Sequence, residues 1–520
     1  MNKLDLLLVN APSRAAVYGE LARDFAAIEP PVWAGLIARY CLDRGFLVEI
    51  LDAEAESLSV LETSIEIMRR QPRLAAFIIY GQQPSASTQC LPAASAVARG
   101  VESTIKKLAL GTHPSALPER TLREEPFDYV CEGEGPTTVI NLLRSLRDGT
   151  GFGCGEVPGL WWCGSPAAEP YSNAPATNIT DLDAELPGQA WRLLDLTRYR
   201  AHNWHLWTAS EKEMEMRINN FIATPTGSTR AGGGYASVQT SLGCPFKCTF
   251  CCINAPFGGA GIRYWSPVKV VGQIAFLWAH YNITNIKIPD EMFCLNRQHV
   301  LGICDGLIEL GLGDRLNMWA YARVDTVKDT EMLERMRRAG FRWLGIGVES
   351  GSKHVRDGVE KGKFGDDDIR VAIKRVHDAG LCVAANYIFG LPDDTLESMQ
   401  ATLDLACELN TEWANFYCAM AYPGSPLHQM AVEKGWPLPE GPGGPGWIGY
   451  AQHAYEAMPL PTYALTSAQV LDFRDEAFMQ YFGRESYHEL IRAKFGTEAR
   501  MNIVKMLNYG KPKRKHRGDI

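Results

Sequence analysis

Apolar segments alternate with amphipathic segments along roughly the first 140 residues. The apolar segments predict strands over residues 4–10, 46–52, 74–80, 107–111 and 129–132, and the segments between them predict helices over 31–45, 60–70 and 93–106. Such alternation is typical of a doubly wound parallel sheet. Ligands bind beyond the carboxyl ends of the strands in sheets of this kind.

A second alternation of strands and helices begins after a looser stretch. Strands are predicted over residues 236–242, 285–289, 317–321, 343–348, 382–389 and 414–421, with Ser266 and Pro267 marking one helix start. Six such units predict a partial (β/α)6 barrel with functional groups at the strands' C-terminal ends. The chain is therefore predicted to be an α/β protein with a domain at 1–140, a connector at 141–235, a barrel at 236–430 and a mainly helical segment at 431–520.

Composition narrows the classes of protein that the chain can belong to. Its 520 residues suggest two to four domains, and its net charge of −8 gives no sign of a nucleic-acid partner. The only basic run, 511–517, is expected to be a solvated, frayed tail rather than a binding site for an anion. The sequence contains no run of 18 apolar residues, so no membrane span is predicted. Its 14 cysteines, in a chain of this length, do not indicate a disulfide scaffold.

Three cysteines stand close together after the first predicted barrel strand. Cys244, Cys248 and Cys251 have C-x3-C-x2-C spacing. Three thiolates cannot complete a structural zinc site, which takes four protein ligands, but on a [4Fe–4S] cluster they leave one iron open for another ligand. The alternatives are a zinc site that uses Cys252 as the fourth ligand and a chance grouping of cysteines.

This triplet, with an aromatic residue at position 250, resembles the motif of the radical S-adenosylmethionine (SAM) superfamily. In that superfamily the open iron binds SAM, which implies that Cys244, Cys248 and Cys251 hold a [4Fe–4S] cluster. An oxygen-sensitive cluster fits a reducing cytoplasm. The resemblance also implies SAM contacts at Phe250, Asp290, Glu291, Arg323, Glu349, Ser350, Ile388 and Gly390. An ordinary salt bridge from Arg323 to Asp325 or Glu349 is the alternative to its SAM contact.

The loops at the strand ends of the N-terminal domain resemble those of the cobalamin-binding domain that precedes many radical SAM domains. The resemblance implies cobalamin contacts at Asn10, Pro12, Gln82, Gln83, Ser85, Gly111, His113, Glu132, Gly133, Glu134 and Gly135. The first loop has no Asp-x-His-x-x-Gly motif, so the lower axial position of cobalt is expected to hold water, a side chain of loop 81–85 or nothing. His113 is a cobalt ligand or, as a loop histidine, bonds phosphate or backbone. A Rossmann-like domain with another ligand, or with none, is the alternative for the region.

Two further segments leave their roles open. Residues 202–207 are dense in aromatic and imidazole groups, which would cover the corrin ring, contact the substrate or form a packed plug between domains. The C-terminal segment would cap the mouth of the barrel or serve only in packing.

The resemblance predicts a cobalamin-dependent radical SAM methyltransferase, similar to the hydroxyethylphosphonate methyltransferases, that methylates a carbon atom through a 5′-deoxyadenosyl radical. The alternatives are a cobalamin-dependent cyclase or rearrangement enzyme, polar methylation without that radical, and a cobalamin-binding sensor with a vestigial barrel. Methylthiolation is disfavoured because the N-terminal domain has no second three-cysteine motif. The expected partners are a small-molecule or biosynthetic-intermediate substrate and an electron donor such as flavodoxin or ferredoxin; no catalytic residue is assigned.

Overall fold

The computed structural model describes residues 3–81, 86–148, 153–165, 168–207, 233–362 and 364–519. Their two main sheets have seven and six strands. Helices pack against both sheets, and the C-terminal helices pack against the second one.

The N-terminal sheet has the strand order β2-β1-β3-β4-β5-β6-β7. Its strands are β1 (Leu6–Asn10), β2 (Val48–Asp52), β3 (Leu74–Ile79), β4 (Lys106–Gly111), β5 (Tyr129–Cys131), β6 (Leu160–Trp162) and β7 (Tyr171–Ser172). The first five are parallel. Its α-helices are Arg14–Tyr18, Leu21–Asp24, Val32–Leu42, Ala53–Glu56, Val60–Arg70, Leu91–Arg99, Thr112–Ala116, Pro118–Glu124 and Pro136–Asp148. The predicted doubly wound parallel sheet is confirmed.

Two predicted details of this domain differ from the structure. The sheet continues past residue 140, because β6 and β7 add to its edge as an antiparallel pair. The helix predicted over 93–106 ends at Arg99. Gly100 follows the helix and packs closely against Ser64, since a Cβ atom at this position would lie 2.5 Å from Ser64 Oγ.

The second sheet is an open half-barrel of six parallel strands in the order β15-β14-β13-β12-β11-β8. The strands are β8 (Gly234–Ser237), β11 (Ile283–Ile288), β12 (Asn317–Arg323), β13 (Phe341–Glu349), β14 (Cys382–Phe389) and β15 (Trp413–Cys418). The α-helices that follow the connector helix Leu182–Glu185 are Pro267–Tyr281, Arg297–Glu309, Thr330–Ala339, Lys353–Gly358, Asp366–Asp378, Leu396–Leu409 and Pro426–Glu433. The partial barrel is confirmed.

The first predicted barrel strand is in fact two short strands. β8 ends at Ser237, and β9 (Ser241–Leu242) pairs antiparallel with β10 (Arg263–Tyr264) outside the barrel sheet. The Asp290 carboxylate accounts for the break. It accepts hydrogen bonds from the Thr240 backbone nitrogen at 2.8 Å and from the Thr240 and Ser241 hydroxyls at 2.6 Å, which turns the chain out of the sheet before the cysteines.

The aromatic segment 202–207 forms a plug at the N-terminal ends of the barrel strands. The Trp204 ring lies 5.2 Å from that of Trp319 and 4.9 Å from that of Trp343, centroid to centroid. Asn317 Nδ2 donates to the backbone carbonyl of His205 at 2.8 Å, and His205 Nε2 lies 2.8 Å from the carbonyl of Asn317. Of the three roles considered for this segment, the packed plug is the one that the structure shows.

The C-terminal segment has two helices, Ser467–Gly483 and Glu485–Leu507, the second interrupted at Gly496. The prediction of a frayed basic tail is wrong, because the Arg514 side chain is fully buried. Its guanidinium donates to both Asp475 carboxylate oxygens at 2.9 and 2.8 Å and to the Ala454 carbonyl at 2.9 Å. Among the described helices, none has the length and apolar character to cross a membrane.

Candidate cofactor and substrate site

The three cysteines lie together in a loop at the C-terminal end of the half-barrel. Cys244 and Cys251 pack in one apolar cluster with Met292, and the Cys248 thiol lies 3.6 Å from Arg323 Nη1. Asn254 fixes the loop, because its side-chain oxygen accepts from the Cys244 backbone nitrogen at 3.2 Å. This bond holds the first cysteine of the triplet in place.

The spacing of the thiols bears on the zinc alternative. In the described part of the chain, no group of three histidine, cysteine or carboxylate side chains is close enough to hold one metal ion. A four-ligand zinc site with Cys252 is therefore not seen among the described residues.

Asp290 and Glu291 follow β11 but have different surroundings. Asp290 is occupied by its bonds to Thr240 and Ser241. Burial raises the pKa of Glu291 to about 8, and its Oε1 has no hydrogen-bond partner among the described residues. A partly buried carboxyl group with one buried, unpartnered oxygen, close to the cysteines, fits a cationic ligand such as the SAM ammonium group.

Arg323 and Glu349 are both engaged in ion pairs. Arg323 binds the Asp325 carboxylate through Nε at 3.0 Å and Nη2 at 3.2 Å, which is the salt bridge considered as the alternative. Its guanidinium also stacks on the Phe246 ring at 4.0 Å. Glu349 pairs with Lys361 in a buried salt bridge. Arg323 therefore supports the cysteine loop with its guanidinium already bound to a protein carboxylate.

The remaining predicted SAM contacts are of two kinds. Ser350 and Gly390 are held by other groups of the protein, whereas Phe250 and Ile388 are partly buried apolar side chains. Ser350 is fully buried, and its hydroxyl lies 3.2 Å from that of Thr402. Phe250 and Ile388 are partly buried and pack on the same small apolar cluster. The Gly390 turn is held by Asp394, which accepts from the Gly390 backbone nitrogen at 3.0 Å. Phe250 and Ile388 thus present an apolar surface next to the cysteines.

A cavity lies where the strand ends of the two sheets face each other. It contains about 950 Å³ that protein atoms do not occupy, part of it open to solvent. Asn10, Ile78, Tyr80 and Glu54 line it from the N-terminal domain, and Gln239 and Pro289 line it from the barrel. The Tyr80 hydroxyl is buried without a partner among the described residues. The cavity occupies the position that parallel sheets use for ligands.

The predicted cobalamin contacts are divided between this cavity and other places. Asn10 lines it, Pro12 lies in the loop that follows, and Gln82, Gln83 and Ser85 lie outside the described residues. His113 is buried away from it: Nδ1 lies 3.2 Å from Thr88 Oγ1, and the ring packs edge-on against Trp447 at 4.6 Å. Burial lowers the pKa of His113 to about 3.

The glycines of these loops are explained by backbone packing. Gly111 has φ of 144°, and a Cβ there would lie 2.0 Å from the Ile79 carbonyl oxygen. Gly133 and Gly135 have φ of 127° and 106°, values that favour glycine.

Glu134 connects the N-terminal domain to the segment that follows the cysteines. Its carboxylate accepts from Arg263 Nη2 at 2.8 Å and from the Ile179 backbone nitrogen at 2.5 Å, and its side chain is 4% exposed. Glu132, in the same loop, is exposed and accepts from Trp161 Nε1 at 2.6 Å. Glu134 therefore acts as an inter-domain clamp in this structure.

We expect Glu134→Ala to destabilise the protein by about 3 kcal/mol, because it leaves Arg263 Nη2 and the buried Ile179 backbone N–H without their acceptor. The matched control Glu132→Ala changes an exposed position of the same loop and should cost about 0.5 kcal/mol or less. The midpoint of urea unfolding measures both. Equal midpoints for the two variants would contradict the clamp, and equilibrium dialysis with cobalamin would show whether either glutamate contacts that ligand.

Two family models match the chain in the regions described above. Residues 21–143 match the B12 binding domain, and residues 304–406 match the radical SAM superfamily. The chain has a B12-binding domain and a radical SAM domain. B12 and SAM are the cofactors for which these two domain families are named. The cysteine triplet lies outside the second match, so its assignment rests on the motif and on the geometry of the loop.

Similar proteins of known name come from several organisms. The radical SAM protein is 26% identical to an uncharacterised methyltransferase of Pyrococcus horikoshii over 83% of this chain and 84% of that protein. It is 25% identical to the anaerobic magnesium-protoporphyrin IX monomethyl ester cyclase of Rubrivivax gelatinosus, over 78% of this chain and 67% of that protein. It is also 25% identical to the cytidylyl-2-hydroxyethylphosphonate methyltransferase of Streptomyces wedmorensis, over 64% of this chain and 61% of that protein.

Solved structures share the fold of this radical SAM protein. The radical SAM methyltransferase TsrM of Kitasatospora setae, with tryptophan and a SAM analogue bound, superposes with a TM-score of 0.60 at 19% sequence identity. The superposition covers 83% of this chain and 76% of the TsrM chain. The cobalamin-dependent enzyme OxsB, with aqua-cobalamin and SAM bound, has a TM-score of 0.63 at 16% identity, with coverages of 98% and 71%.

One buried ion pair of the site was not predicted from the sequence. Lys287 of β11 donates to both carboxylate oxygens of Glu29 at 3.0 and 2.9 Å, which links the barrel to the N-terminal domain. The signal was present, because a lysine inside a buried parallel strand requires a partner. The identity of that partner could not be deduced from the pattern.

Proposed function

We propose that this radical SAM protein is a cobalamin-dependent methyltransferase that methylates a carbon atom of a small-molecule substrate. The observation that carries the proposal is the cavity in which the strand ends of the B12-binding domain face those of the barrel. Named methyltransferases among the similar proteins support it. The bound cofactors would supply a 5′-deoxyadenosyl radical and a methyl group.

The chain's own residues have distinct tasks in this proposal. Cys244, Cys248 and Cys251 would hold the cluster, and Glu291 would accept hydrogen bonds from the SAM ammonium group. Phe250 and Ile388 would pack against the adenine ring. Asp290 and Arg323 would act indirectly, because their contacts shape the cysteine loop.

The cobalamin would lie in the inter-domain cavity. Asn10 and Tyr80 offer polar groups on its N-terminal wall, and Gln239 offers one on the barrel wall. Two domains that close over the reacting atoms exclude solvent and its solutes, which prevents side reactions of a reactive intermediate.

The electron donor and the compartment follow from the cluster. We propose a low-potential donor such as flavodoxin or ferredoxin and a cytoplasmic setting, because an oxygen-sensitive cluster needs a reducing environment.

The products that this protein forms from SAM test the methyltransferase proposal. The full chain, reconstituted anaerobically with iron, sulfide and hydroxocobalamin, is incubated with reductant and SAM. We expect both 5′-deoxyadenosine and S-adenosylhomocysteine, the product left when SAM gives up its methyl group. 5′-Deoxyadenosine alone would indicate a cyclase or rearrangement enzyme, S-adenosylhomocysteine alone would indicate polar methylation, and neither product would indicate a sensor.

A further inference from the structure

One imidazole lies against both ends of the cysteine loop. His299 Nε2 lies 2.9 Å from the hydroxyl oxygen of Thr240, which precedes the loop. The His299 ring also packs on the ring of Tyr264, which follows the loop, with 4.7 Å between their centroids. His299 is 5% exposed, so both contacts lie inside the protein. The loop that carries the three cysteines therefore starts and ends at the same side chain.

The strand pairing at the base of the loop is short. β9 and β10 pair antiparallel through two residue pairs, Ser241 with Tyr264 and Leu242 with Arg263. A two-stranded pairing by itself is marginally stable in water. Contacts from outside the pair are therefore important for holding the two ends of the loop together, and His299 supplies one on each side.

His299 is itself constrained by its surroundings. It lies in the first turn of the helix Arg297–Glu309, for which Asn296 is the N-cap. The Asn296 side-chain oxygen accepts from the His299 backbone nitrogen at 3.2 Å, and the Phe293 ring packs edge-on against the imidazole at 6.4 Å. Both the backbone and the ring of His299 are thus fixed where the imidazole meets Thr240.

The direction of the hydrogen bond between His299 and Thr240 follows from chemistry. The Asp290 carboxylate accepts from the hydroxyl groups of both Thr240 and Ser241. A hydroxyl has one proton, so the Thr240 oxygen, whose proton goes to Asp290, must accept from His299. Burial lowers the pKa of His299 to about 4, so the neutral ring carries its one proton on Nε2. His299 is therefore the donor.

Asp290 connects this donor to the cysteine loop. The fully buried carboxylate binds Thr240 and Ser241, and these bonds turn the chain out of the barrel sheet before the cysteines. The Thr240 hydroxyl meets His299 and Asp290 at the same time in one rotamer of its side chain. Without the His299 donor, that rotamer loses one of the two bonds that favour it, and the turn is held less firmly.

We infer that His299 is a positioning residue for the iron–sulfur cluster, because its Nε2–H group fixes the Thr240–Asp290 pair at the base of the cysteine loop. This assignment rests on the proposed function, since it requires a cluster at the three cysteines. His299 acts through Thr240 and not on a cofactor.

Two substitutions separate the hydrogen bond from the packing of the ring. His299→Gln retains a donor, because its amide nitrogen can take the place of Nε2. His299→Leu retains an apolar side chain of similar volume and has no donor. His299→Asn, whose amide is too short to reach Thr240, is a second variant without the donor and serves if His299→Leu does not fold.

The stability of the cluster is the quantity to measure. The full chain is reconstituted anaerobically with iron and sulfide, and the loss of iron to a chelator is followed in time, together with the EPR spectrum of the reduced cluster. We expect His299→Leu and His299→Asn to lose iron about tenfold faster than the parent, as one hydrogen bond implies, and His299→Gln to stay within about twofold of it. The EPR signal should broaden only in the two variants without the donor, because their loop has more than one arrangement.

Two further variants show whether the effect is specific and passes through Thr240. His488, on the helix Glu485–Leu507, is a buried histidine with 7% exposure. His488→Leu should lower the midpoint of urea unfolding but leave iron loss at the parent rate. Thr240→Val removes the acceptor of the His299 bond, so adding His299→Leu to it should change the rate of iron loss by less than about twofold.

Three results would overturn the assignment. They are equal rates of iron loss in His299→Gln and His299→Leu, the same acceleration in His488→Leu, and a full tenfold effect of His299→Leu in the Thr240→Val background. None of these measurements requires SAM or methyl transfer. A failure of the methyltransferase proposal, seen in the products of SAM, is therefore separate from a failure here.

Discussion

Replacing Cys248 with alanine should remove the iron–sulfur cluster and reduce formation of 5′-deoxyadenosine to the background level. Two remaining thiolates cannot hold a cubane that needs three, and the open iron that binds SAM is lost with it. Iron content and the visible and EPR spectra of the reconstituted protein measure the first effect. Chromatographic analysis of the products of SAM measures the second.

Cys252 provides the matched control for this experiment. It is adjacent to the triplet and 2% exposed, so it is a buried thiol of the same loop. Cys252→Ala should keep the cluster and the radical product. Loss of iron in Cys252→Ala, or its retention in Cys248→Ala, would contradict the assignment of the three ligands.

Glu291→Gln should weaken SAM binding by about ten- to a hundredfold while leaving the cluster intact. The substitution keeps the size of the side chain but removes the carboxyl group that ionises when the SAM ammonium group binds beside it, and hydrogen bonds to charged groups contribute about 1.5–3 kcal/mol. Equilibrium dialysis with labelled SAM measures the affinity. Glu309→Gln, at an exposed position on the next helix, is the control.

The neighbouring carboxylate should behave differently. Asp290→Asn removes an acceptor from Thr240 and Ser241, so it should disturb the cysteine loop and lower iron content before it affects SAM. If Asp290→Asn lowered SAM affinity at full iron content, and Glu291→Gln did not, the two roles would have to be exchanged.

The architecture could be predicted from the sequence because its signals are local. The strand β14 and the helix Val60–Arg70 have the bounds that the pattern predicted. The helix begins with a capping box at Ser59 and Glu62 and shows strong apolar periodicity, so neighbouring residues alone determine it. The cysteine triplet was equally readable, since its meaning depends on spacing within one loop.

The pairing of distant polar groups could not be predicted in this way. Glu134 and Arg263 are far apart in sequence, and nothing near either residue specifies the other. The same holds for Arg514, whose burial against Asp475 reverses the expectation of a solvated tail. Charged residues look alike in sequence whether they are solvated or paired in an interface, so only the folded structure separates the two cases.

The plug formed by residues 202–207 restricts the shape of molecules that can react. Trp204 packs among Trp319 and Trp343, so the half-barrel is closed at the N-terminal ends of its strands. A long substrate can insert one end, but it cannot be threaded through. The reacting carbon of such a molecule must therefore lie near its terminus or on a projecting group, and the bulk of the molecule must remain outside, where the two domains meet.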